Sequence, residues 1–186
     1  MSIRGQRILL RALDLEDLPL LHQWSNDEAL WSLLGGWHFP TSREAQREWL
    51  LGLKSDRLNQ RFGIEVPGQG LIGTANLVDI DWKNRTAEHG MMIGDSTLRG
   101  KGYGTDVIAT VMRYAFDELG LSRLSTTIIE YNAASLATYT RKTPWLIEGV
   151  QRQWYYRKGQ RWDRILLGVT AEEYRAWQAA RAHSHE

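Results

Sequence analysis

The run Leu98-Arg99-Gly100-Lys101-Gly102-Tyr103-Gly104-Thr105 sets alternate glycines among cations, between an apolar stretch (Glu88 to Gly94) and a helical pattern. Val107, Ile108, Val111, Met112, Ala115, Phe116 and Leu119 recur at the helical period, and Gly120 supplies the stop. Glycine lets backbone approach a ligand or take positive φ without steric cost. The first N–H groups of a helix lack intrahelical partners and point outward at the positive end of the macrodipole. Such a loop is built to cradle an anion, phosphate above all. Two familiar phosphate motifs do not fit. A P-loop needs four residues between its glycines and a Ser or Thr after the lysine, whereas here a glycine follows Lys101. A dinucleotide fingerprint needs its third glycine three places after the second, whereas Gly100, Gly102 and Gly104 are evenly spaced. A plain glycine-rich turn before a helix is the alternative.

A second constellation lies beyond the Thr- and Ile-rich stretch Leu121 to Glu130, which reads as a strand. Asn132 is a favoured N-cap, and a helix starting there sets Ser135 and Tyr139 on its face at steps of three and seven. Taken alone, this is equally a capped helix with a solvated serine and a core tyrosine.

Together the two patterns resemble the GNAT superfamily of N-acetyltransferases, especially its RimJ/RimL-type branch. Arg99, Gly102 and Gly104 fall in the Arg/Gln-x-x-Gly-x-Gly/Ala signature, and Asn132, Ser135 and Tyr139 in an Asn-x-x-Ser-x-x-x-Tyr signature. The resemblance extends to Arg7 to Asp17, Trp24-Ser-Asn-Asp-Glu and Ile72-Gly-Thr-Ala-Asn-Leu, spanning roughly residues 5 to 175. The chain departs from it after the tyrosine, where Thr140-Arg141-Lys142-Thr143-Pro144-Trp145 replaces a basic residue and a Gly-Phe pair.

The resemblance implies an α+β fold: a mixed, mostly antiparallel central sheet with one parallel βαβ pair at the cofactor cleft and helices on both faces. It implies acetyl-CoA as cosubstrate, its pyrophosphate held by Arg99, Gly100, Lys101, Gly102, Tyr103, Gly104 and Thr105. It further implies two splayed strands, so that the backbone of Met91, Met92 and Ile93 can bond the pantetheine arm as a strand would. By the same resemblance Tyr139 is the general acid or a donor to the coenzyme sulfur, Ser135 contacts that sulfur or the pantetheine, and Asn132 bonds a pantetheine amide.

Acetylation of an amine needs a neutral nucleophile, so a base must remove the ammonium proton. Glu88, on the strand beside the acetyl group, is the first choice, through a water; His89 points to the opposite sheet face by alternation. Backbone N–H groups near Met92 could polarise the acetyl carbonyl. Acceptor candidates are Trp31, Trp37 and Asp81, which could grip an amine with aromatic faces and a carboxylate, although large aromatics are more often core. Two functions stay open: an N-acetyltransferase acting on a protein α-amine or a small amine by direct attack, and a non-catalytic acyl-CoA-binding sensor or interaction module.

Composition bounds these readings. With 186 residues, 42% hydrophobic, the chain suits one domain over 1–186, with residues 183–186 as a frayed tail. The absence of cysteine excludes an acyl-cysteine intermediate and cysteine-ligated zinc, and no metal is expected. A net charge of +1 gives no footprint for nucleic acid. No apolar run approaches the ~20 residues of a membrane span, and a cytoplasmic location follows. Exposed aromatics such as Trp154 and Tyr156 would suit a homodimer contact.

The remaining elements read in order. Met1 to Leu10 is a strand, Asp14 caps a helix through His22, and Thr41-Ser-Arg-Glu44 is a capping box opening a helix to about Leu53. Arg61 to Val66 and Leu71 to Trp82 form a hairpin, and Trp145 to Val169 form another around Lys158-Gly159. Thr170-Ala-Glu-Glu173 opens a closing helix.

Overall fold

The computed structural model describes residues 2–36 and 39–183. Eight strands form one sheet in the order β1-β2-β3-β4-β5-β6-β8-β7. They are β1 (Ile3–Arg4), β2 (Leu9–Arg11), β3 (Gln60–Val66), β4 (Gly70–Asp81), β5 (Thr86–Ile93), β6 (Arg123–Ile129), β7 (Leu146–Arg157) and β8 (Gln160–Thr170). Every neighbouring pair is antiparallel except β5 and β6, which are joined by the one central crossover. This is the expected α+β arrangement.

Strand alternation sends side chains to two different cores. Ala87, Met91 and Ile93 join the larger one, with α4 (Tyr103–Arg113), α5 (Ala133–Lys142) and α6 (Ala171–His183). Met92 turns the other way and packs with Leu21 and Trp24 of α1 (Leu18–Ser25), Leu30 of α2 (Glu28–Trp31) and Leu50 of α3 (Arg43–Gly52). The helical first third therefore covers one face, while the helices that follow β5 and β6 cover the other.

Local chemistry corrects several boundaries. Met1 to Leu10 is not one strand: the chain turns at Gly5, whose N–H bonds Ile8 O at 2.8 Å. The turn is held because Asp106, in the first turn of α4, accepts from the N–H groups of Gln6 (3.0 Å) and Arg7 (2.7 Å). The cap of α3 is Ser42, whose Oγ accepts from Ala45 N, while the Thr41 N–H bonds Asn26 Oδ1 instead. Asp14 caps a short 3₁₀ turn, and α1 then runs past His22 to Ser25. His183 is the last residue of α6, with Nδ1 bonded to Ala179 O, while residues 184–186 of the expected frayed tail lie outside the described residues. Thr170 and Glu173 form the expected capping box.

The unusual exit from α5 has a simple solution. Thr143 takes an extended conformation, and Pro144 leads into Trp145, which is 1% exposed and packs edge-on against Tyr139 with centroids 5.1 Å apart. The indole fills the volume beneath α5. Among the described residues, no helix is long and apolar enough to cross a membrane.

Trp145→Ala should destabilise the protein by about 3–5 kcal/mol, the cost of emptying a well-packed aromatic site, as measured by urea unfolding. A loss below about 1 kcal/mol would mean that the indole does not hold this region together.

Candidate active site

The parallel pair is short. β5 and β6 are in register at Thr86/Arg123, Ala87/Leu124 and Glu88/Ser125, and pairing stops there although both strands continue. On its other side β5 stays paired with β4 as far as Ile93. The strands therefore splay, and β5 has a free edge beyond Glu88. Gly94 N–H bonds Ile72 O on β4 at 2.9 Å, so alternation turns the N–H and C=O of Gly90 and Met92 toward β4. Those of His89, Met91 and Ile93 face the gap. The amide at Met92 is thus not the one available there; Met91 and Ile93 supply the free edge.

Both crossover helices begin at this gap. Gly102 is the N-cap of α4 with φ of 87°, a left-handed conformation that suits glycine, and no side chain caps the helix. The first helical bond runs from Asp106 N to Gly102 O, leaving the N–H groups of Tyr103, Gly104 and Thr105 as donors. A Cβ on Gly104 would stand 3.2 Å from Met91 Cε and 3.5 Å from Thr138 Cγ2, so glycine keeps the helix close to β5 and α5. Arg99 bends back, donating to Ile93 O (3.0 Å) and Gly94 O (3.4 Å). Arg7 donates to Lys101 O at 2.7 Å and lies over the Tyr103 ring. Lys101 O and Gly102 O are thus occupied, and the amides of Tyr103 to Thr105 are left for an anion.

One cavity of about 570 Å³ passes through the gap and reaches both sheet faces. Glu88, Met91, Met92, Asn132, Ser135, Tyr139 and Trp31 all line it. Asn132 Oδ1 accepts from Ser135 N at 3.1 Å and its Nδ2 donates to Leu33 O at 3.2 Å, leaving one amide hydrogen. Asp81 lies elsewhere: it accepts from Lys83 N and Asn84 N and closes the β4–β5 turn. Trp37 lies outside the described residues.

The electrostatics differ on the two faces. Glu88 is half-buried, and desolvation pushes its carboxyl above the ordinary range; Arg164 opposes this and Asp79 adds to it. Tyr139, 2% exposed, is held protonated far above neutral pH, chiefly by burial, with the Thr126 hydroxyl as hydrogen-bond partner. His89 sits on the Tyr139 side, as alternation requires, with Nδ1 2.9 Å from Asn76 O. That bond makes Nδ1 the donor and leaves Nε2 as a buried acceptor without a partner among the described residues. Burial pushes the imidazole down to about 4, so it is neutral at pH 7.

Sequence reasoning did not single out several lining residues. Thr126, Arg61 and Arg164 carry no motif, Asn76 falls in a resembling segment without a role assigned to it, and only strand register brings the four to the cavity. The Ser32 to Gly36 segment after α2 roofs it, its carbonyls accepting from Tyr131 Oη, Asn132 Nδ2 and Arg157 Nη2.

Comparison with known proteins settles the family. The model of the acetyltransferase (GNAT) domain matches residues 7–141, most of the chain. The chain belongs to the GNAT N-acetyltransferases. Its similarity to the SPbeta prophage-derived uncharacterized N-acetyltransferase YokL of Bacillus subtilis (strain 168) is 30% identity over 171 residues, 91% of this chain and 93% of that protein. The alpha/beta-tubulin-N-acetyltransferase 9 of Drosophila melanogaster is 29% identical over 151 residues, 73% of this chain and 74% of that one. Among solved structures, spermidine N-acetyltransferase from Vibrio cholerae in complex with CoA and spermine superposes with a TM-score of 0.84 over 91% of this chain and 99% of that one, at 23% identity. This GNAT enzyme is therefore similar, in sequence or in fold, to proteins named for quite different acceptors.

Because the His89 pKa is lower folded than unfolded, the unfolded state binds the proton first as pH falls below about 6.5. Stability should fall by roughly 2–3 kcal/mol from pH 7 to pH 4.5 on this account, and His89→Gln should flatten that part of the slope in urea-unfolding curves. An identical slope in both proteins would contradict a buried neutral imidazole.

Proposed function

We propose that this enzyme moves an acetyl group from acetyl-CoA to a primary amine by direct attack in a ternary complex, within a single acetyltransferase domain. The observation that carries this reading is the gap between β5 and β6, where a carboxylate from one sheet face and a tyrosine from the other line one cavity. The residues fit the coenzyme. Uncapped amides at Tyr103 to Thr105 suit its pyrophosphate, Lys101 adds positive charge at the mouth of the loop, and the free β5 edge at Met91 and Ile93 suits its pantetheine amides. When bound, acetyl-CoA supplies a thioester carbonyl as electrophile and a thiolate as leaving group.

Glu88 takes the proton from the acceptor ammonium, directly or through a water. Its raised pKa makes it a stronger base than an exposed carboxylate. Tyr139 holds its proton at all relevant pH values and donates it, or a hydrogen bond, toward the departing sulfur. Ser135 and the remaining Asn132 amide hydrogen orient the pantetheine. An acyl-CoA sensor would need only the amides and the loop. A carboxylate and a phenol lining one cavity from opposite sheet faces are suited to proton transfer as well, which supports turnover over mere binding.

Thiol release from acetyl-CoA across a panel of amines is the direct test. Tyr139→Phe should lower kcat by about 10²- to 10⁴-fold, the range of acid–base catalysis, and unchanged turnover would remove Tyr139 from the mechanism. For Glu88, kcat/KM should rise with pH through a pKa above the usual carboxylate value, since the base acts ionised. Glu88→Gln should erase that limb, and a wild-type profile lacking it would assign the base elsewhere.

A further inference from the structure

The charges around the cavity are the reverse of what a polycation needs. Glu88 is the one carboxylate among its described lining residues, whereas Arg61 enters from β3 and Arg164 from β8. Neither guanidinium belongs to an ion pair among the described residues. Arg164 lies over the Trp154 ring at 4.8 Å, and its Nε is buried without a partner. Arg61 lies over Trp49 at 5.6 Å and is half-buried, and the acids that interact with it, Asp56 and Asp79, are outside the cavity wall. A desolvated cation with an unused donor is costly unless something anionic completes it.

The cavity also continues outward. A second hollow of about 510 Å³ shares Trp31, Gly35, Trp154 and Tyr155 with the first and adds Tyr156, Arg157, Lys158 and Arg161, with no acid. Arg157 is occupied by the roof carbonyls of Leu34 and Gly36. Lys158 and Arg161 are exposed at the β7–β8 turn, Arg161 over the Tyr156 ring at 5.2 Å. This outer hollow is thus walled by aromatics and cations.

Building on the amine-acetylation reading, we propose that the acceptor is an amine tethered to an anionic group, a carboxylate or phosphate. Its ammonium meets Glu88, its anion completes Arg164, and any longer anionic portion runs out along Trp31 and Trp154 toward Lys158 and Arg161. Arg164 acts here as a specificity residue: it does not touch the transferred acetyl group. A polyamine would set several ammonium groups against one carboxylate and two guanidiniums, an unfavourable match that separates this cavity from the spermidine enzyme whose fold it shares.

Matched acceptors that differ only in charge test this. β-Alanine is compared with its amide, phosphoethanolamine with ethanolamine, and the C-terminally amidated peptide Ala-Asp-Glu with amidated Ala-Asn-Gln, with spermidine alongside, following thiol release from acetyl-CoA. In at least one pair the anionic member should exceed the neutral one in kcat/KM by about tenfold or more, and the pair with the widest gap identifies the source of the anion. Arg164→Gln should close the gap by raising KM of the anionic member about 10- to 100-fold, the loss expected for one hydrogen bond to a charged group, with KM of the neutral member unchanged. A change in Glu88 basicity would move kcat of both members together, so the KM-against-kcat split isolates recognition. Should Arg164→Gln fail to fold, Lys158→Glu with Arg161→Glu at the exposed turn carries the test, with a severalfold rise in KM for anionic members. Equal use of both members of every pair, or preference for spermidine, overturns the proposal while leaving amine acetylation standing. No thiol release with any amine, with coenzyme A still bound, overturns the acetylation reading itself.

Discussion

Everything at the centre of this enzyme follows from the point at which β5 and β6 stop pairing. After Glu88 and Ser125 the parallel ladder opens, and β5 keeps only its β4 neighbour. Unpaired buried backbone is costly, on the order of 1–3 kcal/mol for each group left without a partner. The fold limits that cost from both sides. Arg99 covers Ile93 O from the glycine loop, and α4 starts at the same end, so free amides gather where an extended, amide-bearing ligand with a phosphate head can satisfy them. The gap also pierces the sheet. Side chains that alternation sends to opposite faces, Glu88 and Tyr139, come to line one space.

The two faces do different electrostatic work. Tyr139, His89 and Trp145 form a buried aromatic cluster in which burial keeps the phenol protonated and the imidazole neutral. Across the gap, Glu88 is half-buried beneath α1 to α3 and shares its surroundings with Arg164 and Asp79. One side can thus hold a proton to give, the other a charge that accepts one. The separation needs no unusual residue types, only strand alternation and a gap that exposes both sides.

What the sequence disclosed was local chemistry. The glycine loop, the Asn132 cap and the two hairpins are dictated within a few residues, and each lies where its composition places it. The acceptor wall was not legible, because it is assembled by register across the sheet. Arg61, Asn76 and Gly90 come into one row only through β3–β4–β5 pairing, and Arg164 reaches the cavity through its pairing with Ile129. Asp81 stands apart for the complementary reason: a carboxylate at a strand end near aromatics looks available, but its oxygens accept from the Lys83 and Asn84 backbone amides and the Asn84 side chain. Which amides near Met92 face the gap was also a matter of register, since a strand reverses its hydrogen-bonding side at every residue. Likewise Trp145 in place of the familial Gly-Phe gave no hint of its destination, which only the packing beneath α5 defines.

The account stands or falls on where the coenzyme lies, and a crystal structure grown with coenzyme A decides it. The pyrophosphate should accept hydrogen bonds from the amides of Tyr103 to Thr105, and the pantetheine should run along β5 with its amides on Met91 and Ile93 and its sulfur within reach of Tyr139. A coenzyme lodged outside the gap, or strands β5 and β6 found paired through Ile93, would contradict it.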